Sequence, residues 1–151
     1  LTKYVGEFPI LRLSDSIVIR TNFLACGFQN KSYLDWMLAA ILNDSKVNLY
    51  QDVFFNPTIP ENVARNILIG FKRRVNGVFN IGCQHGWSKA DLFVGLCKKI
   101  KPDKQHISYS NCPQFEVRRP LDMRMDTTKA KQHGFEILGN DSVLENLLRV
   151  K

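Results

Sequence analysis

The 151-residue sequence predicts an α/β fold built on a mainly parallel sheet. Short β-branched runs alternate with amphipathic helical stretches through the first hundred residues. The first run, Ser16-Ile17-Val18-Ile19-Arg20, is apolar without alternation, as in a strand buried on both faces. Where helices should begin, Ser or Thr recurs three positions before an acidic residue, the spacing of a capping box.

Taken in order, residues 16–20 form the first predicted strand. Over 32–43, Leu34, Met37, Leu38 and Ile41 fall at i, i+3, i+4 and i+7, so one helical face is apolar. Val47-Asn48-Leu49-Tyr50 alternates and predicts a second strand. A helix follows near Pro60. Either Thr58 and Glu61 form its capping box, or Pro60 takes the first helical position after Ile59. Its expected buried stripe is Ala64, Ile67, Leu68 and Phe71. Asn76-Gly77 turns the chain into a third strand over 77–82, and Ser88 with Asp91 opens a helix over 89–100 that Pro102 ends. Residues 101–122 are irregular apart from a short strand candidate over 106–109. Asp126 is placed to cap a helix over about 127–133, closed by Gly134. The last helix, near 142–150, has Ser142 and Glu145 as its cap pair and Val143, Leu144, Leu147 and Leu148 as its apolar face. Three or four strands are few for a sheet whose first member is apolar on both sides. A partner segment is therefore expected, either cut away or replaced by self-association.

The composition, 44% hydrophobic and 23% charged, suits one soluble globular domain over residues 1–151. No apolar run approaches the roughly 18 residues of a membrane span, and no signal-peptide pattern opens the chain. The chain opens on Leu1, not methionine, and is expected to continue upstream. Cys26, Cys83, Cys97 and Cys112 are far apart and His85, His106 and His133 lack ligand spacing, so neither a zinc site nor a disulfide framework is expected. Twenty-one basic against 14 acidic residues give a net charge of +7, but the cations are dispersed and their clusters end helices. That distribution argues against a nucleic-acid surface.

Four stretches carry the functional reading. The chain begins Leu1-Thr2-Lys3-Tyr4-Val5-Gly6-Glu7. The first strand runs into Arg20-Thr21-Asn22-Phe23. Asp52-Val53-Phe54-Phe55-Asn56-Pro57-Thr58 precedes the second helix. Arg118-Arg119-Pro120-Leu121-Asp122 leads to Met125-Asp126 and Lys129. Chemically, arginine forms bidentate, charge-assisted bonds to phosphate, and a carboxylate accepts from vicinal ribose hydroxyls. Asn22 can bond sugar or phosphate oxygens, and Phe23 offers a flat face. Read without further context, Asn22-Phe23 is also a turn after a strand, and residues 52–58 an ordinary strand-to-helix loop.

In order and spacing these stretches resemble the extended short-chain dehydrogenase/reductase family, closest to the 4-keto-6-deoxysugar nucleotide reductases of the dTDP-4-dehydrorhamnose type. The resemblance covers nearly the whole chain and implies the C-terminal, substrate-binding part of a Rossmann-like enzyme, with few parallel strands and flanking helices. It implies that Lys3 is the lysine of a Tyr-x-x-x-Lys pair whose tyrosine lies before Leu1. Such a lysine holds the nicotinamide ribose and lowers the tyrosine pKa. It further implies substrate contacts from Asn22, Phe23, Asn56, Thr58, Arg119 and Asp122, the last two as an Arg-x-x-Asp grip on diphosphate and ribose. NADP or NAD would be bound mainly by the N-terminal half, since no Gly-rich dinucleotide fingerprint occurs in this chain. A nucleotide sugar is the implied ligand, the cytoplasm the implied location, and a homodimer is compatible. Two departures stand out: Asn22-Phe23 replaces the frequent Ser-Trp, and Asn56 replaces the Gly or Ala that commonly precedes Pro-Thr. An epimerase or dehydratase of the same superfamily, or a non-catalytic regulatory subunit, would carry much of the same pattern.

Overall fold

A computed structural model of the chain describes residues 2–29, 31–104, 106–114, 116 and 119–149. The chain opens with α1 (Thr2–Leu11), an element that sequence periodicity did not predict, because Gly6 and Pro9 interrupt it. β1 (Ile17–Thr21) follows, then α2 (Tyr33–Leu42), β2 (Val47–Tyr50), the two-residue β3 (Phe54–Phe55) and α3 (Pro60–Arg73). The second half runs β4 (Gly77–Ile81), β5 (Trp87–Ser88), α4 (Lys89–Ile100), β6 (Ile107–Ser110), α5 (Thr128–Gln132) and α6 (Asn140–Leu148).

The strands pair in twos. β1 runs parallel to β4, with Ile17 opposite Gly77 and Thr21 opposite Ile81. β2 runs parallel to β6, and the short β3–β5 pair is antiparallel. Isolated parallel bridges, Phe23 to Thr58 and Phe54 to Asp122, lie outside these ladders. Among the described residues β1 has β4 as its sole strand neighbour. The α/β class and the parallel pairing match expectation, although the sheet is divided.

The main core lies where α2, α4 and α6 meet β2. It includes Leu34, Met37 and Ile41 from α2, Phe93 and Leu96 from α4, and Leu147 from α6. Helix α2 begins with a reciprocal capping box: Asp35 N–H donates to Ser32 Oγ at 3.1 Å and Ser32 N–H donates to the Asp35 carboxylate at 2.9 Å. Ser88 caps α4 as expected, accepting from Asp91 N–H at 3.0 Å. A smaller core of Phe79, Ile81, Ala130 and Phe135 lies beside β4.

Of the two alternatives at the start of α3 the structure takes the second, and two further helix expectations are corrected. Thr58 and Glu61 do not cap α3; its N-cap is Ile59, with Pro60 in the first turn, and Thr58 Oγ1 donates to Asn62 Oδ1 at 2.9 Å instead. The α3 stripe is inverted: Ile67, Leu68 and Phe71 are 50%, 58% and 82% exposed, while Asn62, Asn66 and Gly70 face inward. The cause is the returning C-terminal run. Asn66 accepts from Glu136 N–H at 2.7 Å and donates to Glu136 C=O at 2.9 Å, and Asn62 donates to the same carbonyl at 3.3 Å. Gly70 is small enough to let Ile17 and Phe135 approach. Finally, α6 starts at Asn140 after a Gly139 N-cap, so Ser142 lies inside the helix and caps nothing.

This inversion yields a stability contrast. Phe71→Ala should change unfolding free energy by less than about 0.5 kcal/mol, as surface substitutions do. Phe93→Ala should cost about 3–5 kcal/mol, as buried aromatic truncations do. Urea unfolding of both variants checks the orientation of α3.

Candidate functional site

Helix α1 packs against β1, and an ion pair latches them. Arg20 Nε and Nη2 donate to the Glu7 carboxylate at 2.8 and 2.5 Å, and that hydrogen bond holds the Glu7 carboxyl below its ordinary value. Between the two elements lies an open cleft of about 810 Å³, with Lys3, Glu7, Arg20, Asn22 and Met125 in its walls. Thr21 also lines it, and the Thr21 hydroxyl is buried with no hydrogen-bond partner among the described residues. The fold thus brings Lys3 and Asn22, nineteen residues apart, to one cavity.

The loop after β1 lies beside the loop that leads into α3. Thr58 N–H donates to Asn22 C=O at 2.8 Å and Leu24 N–H donates to Thr58 C=O at 2.9 Å. Phe23, within this bridge, is 59% exposed. Asn56 and Thr58 are buried, and their side chains bond the polypeptide. Asn56 Nδ2 donates to Met125 C=O at 2.9 Å and to Cys83 C=O at 3.2 Å, while Asn56 Oδ1 accepts from Met125 N–H at 2.9 Å.

Asp122 stands in the next segment. Phe54 N–H donates to Leu121 C=O at 2.7 Å and Met123 N–H donates to Phe54 C=O at 2.8 Å, pinning Asp122 beside β3. Its exposed carboxylate takes the guanidinium of Arg124, with Nη2 at 2.6 Å and Nε at 3.0 Å. Those bonds, with the Arg124 main-chain N–H, hold the Asp122 carboxyl down to about 2. The same guanidinium lies 4.8 Å from the centre of the Phe54 ring, a cation–π arrangement. Arg119 is exposed, Arg118 lies outside the described residues, and neither Arg119 nor Asp122 is among the described residues lining the Lys3–Asn22 cleft. Asn22 connects the two regions, donating from Nδ2 to Met123 C=O at 3.2 Å.

Two features escaped the sequence reading. Arg124 is one; its partner Asp122 stands two residues away, but alternation along an irregular segment gives no periodic signal. The other is a concavity of about 220 Å³ lined by Tyr33, Trp36, Asn48, Leu49, Tyr50 and Lys89. There Tyr33 and Trp36 stack at 5.6 Å with planes 13° apart, and burial pushes the Tyr33 phenol up to about 12. Among the described residues no group of three or more His, Cys, Asp or Glu could hold a metal ion, and no helix is long and apolar enough to cross a membrane.

This architecture superimposes on a dTDP-4-dehydrorhamnose reductase from Clostridium acetobutylicum with a TM-score of 0.84 at 18% identity, covering 99% of this chain and 54% of that one. A dTDP-4-dehydrorhamnose reductase from Bacillus anthracis, solved in complex with NADP, gives 0.84 at 15% identity over 99% and 54%. A UDP-N-acetylglucosamine 4-epimerase from Methanobrevibacter ruminantium, in complex with UDP-N-acetylmuramic acid, gives 0.70 at 16% identity over 98% and 49%. The chain therefore spans about half the length of these solved relatives. No curated protein matches it significantly in sequence. The fold is that of the C-terminal part of the Rossmann-like extended short-chain dehydrogenase/reductases. Within that class the chain belongs to the RmlD substrate binding domain family, which it matches over residues 1–148.

The carboxyl groups set an acid limit. The Asp35 and Asp122 carboxyls are held near 2 by hydrogen bonds from Ser32 and from Arg124 respectively, and that of Asp126 is lowered by Thr128. Carboxyls depressed in the fold contribute stability that is present above the unfolded value of about 3.9 and is lost as pH falls through the folded value. The urea midpoint should hold between pH 7 and 5 and drop steeply between 4 and 2. A midpoint flat across that lower window contradicts the assignment.

Proposed function

We propose that this chain is the substrate-binding part of an NAD(P)-dependent reductase acting on a 4-keto-6-deoxysugar nucleotide. The observation carrying the reading is the family match over residues 1–148 together with a cleft shared by Lys3, Asn22 and Met125. In this reading the Lys3 ammonium holds ribose hydroxyls and lowers the pKa of a tyrosine contributed by a preceding segment. Asn22 and Phe23 meet the sugar. Arg119 grips the diphosphate, and Asp122 accepts from the nucleoside ribose, exchanging part of its bond to Arg124. Asn56 and Thr58, whose side chains are buried, serve the site by shaping the loop beneath the ligand.

When bound, NADP or NAD supplies the hydride. The lysine of α1 and the unmet hydroxyl of Thr21 give the cleft polar groups suited to a hydroxyl-rich ribose, while the phosphate-cradling half belongs to polypeptide outside these 151 residues. Exposed Tyr4, Val5 and Phe8 on α1, and Ile67, Leu68 and Phe71 on α3, support a covering body of that kind. The chain alone should then show no turnover with NADPH and a 4-keto sugar nucleotide. A second reading, a sugar-nucleotide 4-epimerase, draws on the same Arg-x-x-Asp spacing and on the epimerase superposition.

Calorimetric titration with dTDP-, UDP- and GDP-sugars tests the ligand class. Arg119→Ala should weaken the preferred nucleotide sugar by about 1.5–3 kcal/mol, the usual worth of a hydrogen bond to a charged group. Equal affinity in the variant removes Arg119 from the site, and no binding by the unaltered chain overturns the reading.

A further inference from the structure

Residues 122–126 carry Asp122, Arg124 and the cleft-lining Met125, yet apart from the single bridge at Asp122 they have no strand ladder. Instead, three asparagine carboxamides from three separate segments reach their main chain. Asn22, just after β1, donates to Met123 C=O at 3.2 Å. Asn56, before α3, closes both the N–H and C=O of Met125 at 2.9 Å, imitating one rung of a sheet. Asn80, on β4, donates to Asp126 C=O at 2.9 Å.

We infer that Asn22, Asn56 and Asn80 act together as a clip of positioning residues, fixing residues 122–126 at the register in which Asp122, held by Arg124, meets the nucleotide and Met125 walls the cleft. The inference rests on the nucleotide-sugar reading above, gives Asn22 a second task beside its sugar contact, and extends the reading to Asn56 and Asn80, which touch no reacting atom. Asn56 is the centre of the clip. It is 2% exposed, and Gly82 and Gly86 abut it so closely that neither position has room for a Cβ. Its amide cannot turn away, and each of its two polar atoms bonds main chain 69 residues distant. A segment tied by side-chain carboxamides is held at a few points and leaves Asp122 and Arg124 on its outer side. A continuous ladder would commit more of its main chain.

The test uses the full chain with dTDP as probe. Asn56→Asp keeps size and one acceptor but sets a carboxylate against the Met125 and Cys83 carbonyls. Amide exchange should rise at residues 123–126, and dTDP affinity should fall at least tenfold at pH 8. Both should recover in part at pH 5, where the introduced carboxyl takes a proton and regains a donor. Asn80→Ala, which opens only the Asp126 end, should weaken dTDP about threefold, and it keeps the test available if the first variant unfolds. Exchange at 123–126 unchanged in both variants overturns the clip, as does increased exchange with unaltered dTDP affinity. Absence of any nucleoside diphosphate binding by the unaltered chain overturns the functional reading and the positioning role with it, a result distinct from a failure confined to the variants.

Discussion

Amide-to-backbone pairing by asparagine side chains, those of Asn56 and Asn66 buried and those of Asn22 and Asn80 half-buried, is the interaction on which this fold depends. A buried main-chain N–H or C=O needs a partner, and strands ordinarily provide it. From Leu121 to Glu136 this chain crosses the molecule with almost no strand of its own, and Asn22, Asn56, Asn66 and Asn80 provide the partners. Because each carboxamide presents one donor-bearing nitrogen and one acceptor oxygen, Asn56 and Asn66 both satisfy two main-chain groups of one residue. The apparent anomaly of a helix with an asparagine face turned inward follows from this requirement.

The molecule consequently has regions of two unlike kinds. One is sealed, with α2, α4 and α6 closing over β2 and leaving Leu34, Phe93 and Leu96 fully buried. The other is exposed: α1 and the outer face of α3, which meet β1 through Arg20 and Ile17 respectively, carry exposed aromatic and aliphatic groups. The Lys3–Asn22 cleft lies between α1 and β1, and the Asp122–Arg124 pair lies beside β3. The clipped segment joins the two. A ligand that used all the proposed contacts would lie along that segment, across the junction.

Much of the architecture was legible in local pattern. The span of α4 and the Ser88 cap, the β2 run and the turn at Asn76-Gly77 follow from spacing and turn chemistry that act within a few residues. What was illegible depends on partners far along the chain. The Ala64–Phe71 stripe has true helical period, but period says nothing about which side a distant segment will cover, and here Glu136 covers the other one. Helix α1 was missed because Gly6 and Pro9 lower its intrinsic helicity, while contacts such as Arg20 with Glu7 support it. Of the candidate site, Lys3, Asn22 and Asp122 were proposed from motif order alone, and the fold brings Lys3 and Asn22 to one cleft. The engagement of Asp122 by Arg124 and the burial of Asn56 and Thr58 could not be read that way, since both arise from packing between segments tens of residues apart.

The residue following Asn56 has a chemical consequence. Asparagine ages when the next residue's amide nitrogen attacks its side-chain carbonyl, closing a succinimide that opens to aspartate or isoaspartate. Pro57 has no N–H to make that attack, so the most deeply buried member of the clip is shielded from deamidation by its neighbour in sequence. Asn76, exposed and followed by Gly77 at the turn into β4, lacks that protection, and there Gly77 N–H donates to Ser16 C=O at 3.1 Å while Asn76 Nδ2 donates to Ser14 C=O at 2.6 Å. In a stored or long-lived sample, Pro57 thus closes the succinimide route at the carboxamide that holds Met125.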